Sequence, residues 1–311
     1  MLIRFTALTA LTLSQFAGAA DVDFTNPIKP GLLTGQADSF VSFTVSRSTT
    51  IGESLESSDP RLPGLGALKL STLTEVYRLN HSHSFYPDFQ AGFSLPLVSR
   101  KKTNDAFSDK ITSVGDFSTF MAYRLAREDR YRPFVPAVHL YGELSLPTGA
   151  KIFDPSTGLI GDSTSPGAFD TTAGLLIKKT AIDWDVFAVS ELGHGLSRHS
   201  LSELGIPTET SSALHALYAL GGGYRMKEWP LRLGASLQYK FQGSRVSENE
   251  RVGSAKIPTK RSYAVVLGAQ AQMNRDLLAS LDLSDDSLLG AFDQPTLQRR
   301  VSLSLSYQWL K

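Results

Sequence analysis

From Ser39 to the C-terminus the chain alternates apolar and polar residues with period two, the pattern of strands that present one apolar face. Leu231, Leu233, Ala235, Leu237, Tyr239 and Phe241 alternate with Arg232, Gly234, Ser236, Gln238, Lys240 and Gln242. Tyr263, Val265, Leu267, Ala269, Ala271 and Met273 share one face, opposite Gly268, Gln270, Gln272 and Asn274. Val301, Leu303, Leu305, Tyr307 and Trp309 alternate with Ser302, Ser304, Ser306 and Gln308. Strands of soluble proteins average about 5 to 6 residues, whereas a tilted strand crossing a membrane needs about 9 to 11. The runs here reach the longer class.

The pattern predicts about twelve strands, over 39–46, 67–79, 89–98, 116–126, 134–147, 170–180, 182–194, 211–226, 231–243, 261–274, 277–284 and 299–309. The joins between them alternate in length. Those centred near residues 56, 107, 159, 202, 252 and 292 are long and rich in Ser, Asp, Gly, Pro and Lys; those near 84, 130, 181, 228 and 275 are short. Outer-membrane barrels have this asymmetry, with short periplasmic turns, long extracellular loops and an even strand number. A soluble sandwich, which buries each strand face against a second sheet, has no reason to sort its joins by length. The expected fold is therefore all-β, a transmembrane antiparallel up-and-down β-barrel over 39–311. Hydrocarbon offers no partner to an open strand edge, so the sheet must close on itself.

Composition narrows the reading. Lys+Arg 31 against Asp+Glu 30 leaves a net charge of +1, which removes any electrostatic case for nucleic acid. Cysteine is absent, excluding disulfides, thiol nucleophiles and thiolate metal sites. Met1-Leu2-Ile3-Arg4, an apolar stretch from Phe5 to Phe16 and Ala17-Gly18-Ala19-Ala20 follow the order of a secretory signal peptide over 1–20, cut after Ala19 or Ala20. That segment predicts export, and with a barrel behind it the bacterial outer membrane. Residues 21–38 lack alternation and are expected either to hang in the periplasm or to plug the lumen.

Interfacial aromatics fit this orientation. With a periplasmic N-terminus, even-numbered strands return to the periplasm and should end in aromatic anchors. Tyr77-Arg78-Leu79, Tyr123-Arg124-Leu125 and Tyr224-Arg225-Met226 are alike, the chain ends Tyr307-Gln308-Trp309, and Trp184 opens a rising strand. Tyr77, Tyr123, Trp184, Tyr224, Tyr307 and Trp309 form the expected girdle. Each adjoining Arg then points into the lumen.

On that register the lumen candidates are Glu75, Arg78, Asp116, Arg124, His139, Tyr141, Glu143, Lys178, Asp183, Asp185, Glu191, Arg225, Arg232, Lys240 and Asp282. Two readings stand side by side: a polar path whose charges select solutes, or a packed interior whose acids and bases satisfy one another. About twelve strands give a width between filled eight-stranded barrels and sixteen-stranded aqueous porins. His139, Tyr141 and Glu143, two residues apart on one face, make either a binding ledge or lumen hydrogen bonds.

Catalysis finds less support. His194, Ser197, His199 and Ser200, with Glu191 nearby, lie towards an extracellular loop and raise a lipid-cleaving barrel as an alternative. The His-x-Ser-Asn-Gly pattern of outer-membrane phospholipase A is not present, nor is a G-x-S-x-G elbow, so no catalytic residues are assigned. His81 and His83 flank Ser82 in an expected turn with no third ligand at metal-binding spacing. No metal or cofactor is expected. Gly221-Gly222-Gly223 lies inside a strand pattern, where glycines bend the wall.

Further signals are Val114-Gly115-Asp116-Phe117, then Tyr123-Arg124-Leu125, then Leu144-Ser145-Leu146-Pro147-Thr148-Gly149, with Asp170 opening the following strand. Pro147-Thr148-Gly149 reads as a turn out of the membrane and Gly115-Asp116 as the way back. On these residues the chain resembles the outer-membrane protein family named for the MetA pathway of phenol degradation, over 89–195. The resemblance implies a porin-like transporter passing hydrophobic or aromatic compounds, and it brings no catalytic residues. The expected function is passive uptake of small solutes, hydrophobic or aromatic ones among them. The expected partners are outer-membrane lipid, the solute, and the barrel-assembly machinery through the C-terminal strand. A lipid-active hydrolase and a non-conducting structural barrel are the alternatives.

Overall fold

The computed structural model describes residues 37–53, 69–103, 108–129, 132, 134–149, 168–201, 207–249, 253–257, 259–274, 276–286 and 296–310. The signal-peptide expectation, over 1–20, lies outside these residues, as does the plug segment over 21–38 except for Ala37 and Asp38, which open β1. Strands β1 (Ala37–Glu53), β2 (Lys69–Tyr86), β3 (Phe89–Thr103), β4 (Ser108–Val114), β5 (Phe117–Ala126), β6 (Ala137–Leu146), β7 (Asp170–Thr180) and β8 (Trp184–Gly195) begin the wall. After the short β9 (Arg198–Leu201) and β10 (Pro207–Thr210), the wall continues with β11 (Ala213–Arg225) and β12 (Leu231–Gln242). Then come β13 (Arg245–Asn249) and β14 (Gly253–Ile257), followed by β15 (Lys260–Gln272), β16 (Leu277–Asp285) and β17 (Thr296–Leu310).

Each wall strand pairs antiparallel with its neighbours, and β17 returns to β1, so the sheet closes. β3 pairs with β4 above and β5 below, so those two pieces make one wall strand and the barrel has twelve. Alternation explains the wall's two faces. Leu303 and Leu305 are 57% and 50% exposed, whereas Ser304 and Ser306 between and beyond them are 8% and 4% exposed. Small polar groups on the inner face satisfy one another, as where Asn80 Nδ2 donates to Ser42 Oγ at 3.0 Å and Thr44 Oγ1 to Ser304 Oγ at 3.0 Å. Ala122, Tyr141, Leu176, Phe187, Val189 and Ala219 form an apolar core on the inner face of β5, β6, β7, β8 and β11, with Leu217 packed against it.

Several strand limits differ from the sequence reading. β2 runs on to Tyr86 because its polar end, Asn80 to Ser84, is hydrogen-bonded to β1 and β3 on both sides. Tyr77 therefore stands mid-strand, and His81 and His83 belong to a strand and not to a turn. His81 packs on Phe93 with ring centroids 5.5 Å apart, and His83 Nδ1 meets Ser39 Oγ at 2.6 Å. The expected long loop near residue 107 shrinks because β3 and β4 extend as a hairpin. The loops near 202 and 252 instead carry β9, β10, β13 and β14, joined in a separate four-stranded sheet at the end of the barrel that bears the long joins.

The two short motifs behind the family resemblance meet in space. Gly115 and Asp116 interrupt β4 and β5, and Asp116 Oδ1 accepts from Gly149 N at 2.9 Å. Thr148 Oγ1 accepts from Phe117 N at 2.8 Å and donates to Gly115 O at 3.2 Å. Gly115 is needed by space as well, since a Cβ there would stand 3.0 Å from both Pro96 and Val98 side chains. This clasp ties the root of the loop after β6 to the neighbouring strand.

Candidate functional site

Strand register sorts the candidate side chains by face. Arg78 alternates with exposed Tyr77 and Leu79 and shares its face with buried Asn80 and Ser82. Glu75 is corrected by this alternation. It shares the face of Tyr77 and stands 3.9 Å from Arg47 Nε of β1, on the outer surface. His139, Tyr141, Lys178, Glu191 and Arg232 are all buried on the inner face. Glu143, Asp185, Arg225 and Lys240 share that face and are half-buried.

Some of these residues are locked in pairs. Tyr141 donates its hydroxyl to Glu191 Oε1 at 2.5 Å across β6 and β8. Arg232 grips Asp185 through two hydrogen bonds of 2.6 and 2.5 Å and reaches Gln270 Oε1 at 3.4 Å. Both members of that pair are nearly excluded from water. Gly223 makes the approach possible, because a Cβ there would fall 2.4 Å from the Arg232 guanidinium carbon. Gly221 likewise accommodates Phe187. Gly221 and Gly223 thus clear space for inward side chains. A small cavity adjoins the pair, lined by Phe187, Ser236, Gln270 and Asp282.

Other charges organise the periplasmic turns. Arg124 Nε bonds Asp88 Oδ1 at 2.8 Å, and its Nη2 also donates to Pro87 O. Arg127 Nη2 bonds Asp88 Oδ2 at 2.8 Å. Hydrogen bonds from Arg127 and Arg124 hold the Asp88 carboxyl well below the usual carboxylate range, at about 2. Asp183 pairs with Lys227 at 3.2 Å and accepts the Arg225 amide on its carbonyl. Arg124 and Asp183 therefore serve turns at the barrel's lower edge. Trp184 and Tyr224 are direct cross-strand partners there, and Tyr307 stacks edge-on against Trp309 at 4.7 Å; all four, with Tyr123, are exposed on the outer face.

A second group lies higher in the interior and centres on Arg300, which the sequence reading did not nominate. Arg300 is in electrostatic range of Arg78, Lys240, Asp282 and Asp286, and Arg78 also interacts with Glu143. Burial pushes the Asp286 carboxyl up, with Lys240 and Arg300 opposing. Alternation in β17 would have revealed Arg300, since it shares a face with Ser302 and Ser304. Its place at the edge of a polar loop hid it. Arg78 and Arg300 are both exposed to solvent.

His194 is on the outer face, in register with Leu214 and Thr171, away from inward Glu191. Ser197 is exposed, and the side chains of His199 and Ser200 lie outside the described residues. Among the described residues, His194 and Glu191 stand on opposite faces of β8. His215 and Thr172, which sequence reasoning passed over, converge with Asp170 at the outer end of the inner face.

No protein-family model and no curated protein matches the chain. Solved structures do. The chain is similar to an outer-membrane channel from Pseudomonas putida F1, with a TM-score of 0.63 at 13% identity, covering 94% of this chain and 98% of that one. It is also similar to the transport unit of the autotransporter AIDA-I from Escherichia coli, with a TM-score of 0.53 at 8% identity, covering 96% and 97%. At such identities the likeness is one of fold. The fold is that of outer-membrane barrels.

Proposed function

We propose that this protein is a passive outer-membrane channel for small solutes, hydrophobic or aromatic compounds among them. It would be exported by the signal peptide over 1–20 and inserted by the barrel-assembly machinery through β17. It acts as a conduit and not as an enzyme. The observation that carries the reading is Arg78, an inward-facing residue in the middle of a wall strand whose side chain is exposed to solvent. Water reaches that level only through the interior. Arg300 and Glu143 are in electrostatic range of Arg78, and Lys240 is in range of Arg300, while the apolar core of Leu176, Phe187 and Val189 packs the inner face of β7 and β8. Charged groups of this kind on an inner face keep a path wet. The fold shared with a channel from Pseudomonas putida F1 supports the same reading.

The test is conductance of the purified protein in planar bilayers together with swelling of liposomes in aromatic and sugar solutes. Stepwise conductance and faster entry of the aromatic solute are expected. Absence of both would sink the proposal.

A further inference from the structure

At the extracellular end of the inner face, three side chains from two strands crowd above a third. His215 Nε2 of β11 stands 3.4 Å from Asp170 Oδ1 and 3.3 Å from Thr172 Oγ1, both of β7. Thr172 Oγ1 is 3.5 Å from the same Asp170 oxygen. The floor is β8, where Gly193 leaves the room that the imidazole fills: a Cβ there would fall 2.1 Å from His215 Nε2 and 2.7 Å from Thr172 Oγ1. His215 and Asp170 keep 28% and 31% of their side-chain surface, so the group opens to solution.

The three atoms stand within hydrogen-bond or ion-pair reach of one another, at the long end of that range. Donors about 2.1 Å from a tetrahedral divalent ion stand about 3.4 Å from one another. The three edges, 3.3, 3.4 and 3.5 Å, describe one face of that tetrahedron. One imidazole nitrogen, one carboxylate oxygen and one hydroxyl suit zinc, cobalt or nickel and not calcium or magnesium, which prefer oxygen alone. Among the described residues no three His, Cys, Asp or Glu side chains gather for a metal, so a site here would take the Thr172 hydroxyl as its third donor and water for the rest of the shell.

We infer that Asp170, Thr172 and His215 form a divalent transition-metal site at the extracellular mouth of the barrel, open to solvent and built on Gly193. The ion would add positive charge at the mouth and cross-link β7 to β11 over β8. No conductance is needed to test this. The full chain, folded in detergent, is titrated with cobalt(II), with zinc(II) as competitor and calcium as control. One equivalent of cobalt should develop visible ligand-field bands that zinc abolishes and calcium leaves unchanged. His215→Ala should weaken cobalt binding at least tenfold, and so should Gly193→Ala, which retains all three donors but expels the imidazole. Heat-modifiable migration on a gel confirms that each variant is folded. The assignment is overturned if the wild type gives no such bands, or if His215→Ala binds as tightly as wild type, the ion then residing on other histidines.

Discussion

A single inward charge shows how strongly this wall depends on pairing. Arg232 and Asp185 are both nearly dry and bind each other bidentately. Removing one partner leaves the other charged and desolvated, which costs about 3–5 kcal/mol. Arg232→Met should therefore lower the denaturant midpoint of unfolding in lipid vesicles markedly. Combining it with Asp185→Leu should recover much of the loss; equal loss in the double variant would show that the pair was not the cause. Asp88 makes the exposed counterpart. Its carboxyl is held near 2 in the folded barrel, below the ordinary value of about 3.9 that it regains on unfolding. Its contribution is therefore complete above that ordinary value and is lost as pH falls through about 2. Arg127→Gln should flatten the acid dependence of stability over that window. Identical acid titrations of wild type and variant would refute the link. Neither pair could be read from the sequence, because alternation assigns a face and says nothing about the strand across the way.

Strands themselves were far more legible, for a physical reason. Lipid on one side and lumen on the other force period two over the whole span, so β7, β8, β11, β12 and β15 stand within two or three residues of their expected limits. The rule weakens outside the hydrocarbon, where the outer face need not be apolar. Asn80-His81-Ser82-His83-Ser84 looked like a turn and is strand, and β9, β10, β13 and β14 carry no apolar alternation to announce them. Gly115-Asp116 was recognised as a turn, whereas its clasp on Thr148 and Gly149 depends on partners over thirty residues away. The two faces make opposite predictions for the same substitution. Leu303→Arg, on the exposed face of β17, should cost about 2–4 kcal/mol if it meets the bilayer midplane. Ser302→Arg, one residue away on the inner face, should cost much less and instead alter the conductance. Unfolding in vesicles separates them, and equal costs would contradict the assignment of faces.

Closure links these local rules to the whole barrel. The chain is 41% hydrophobic with a net charge of +1, and no helix among the described residues is long and apolar enough to cross a membrane. Neither figure bears against a barrel, since alternation spreads the apolar surface so that it never forms a run. What alternation cannot supply is satisfaction of the edge strands. β1 and β17 are the first and last wall strands and direct partners, in register from Ser39 with Trp309 to Gly52 with Thr296. Without β17, β1 and β16 would each present unpaired N–H and C=O groups to lipid, and no rearrangement of eleven strands in the same register restores them. A chain ending at residue 295 should therefore fail to reach the compact, detergent-resistant form that shifts on heating. Pairing of β17 with β1 should also be the last step in assembly, because every other wall pairing joins neighbours in sequence. Single cysteines at Val45 and Leu303, direct partners on the outer face, offer a readout in this cysteine-free chain. Their disulfide should form only after heat-modifiable migration appears. A cross-link formed earlier would mean that the barrel closes before its wall is complete.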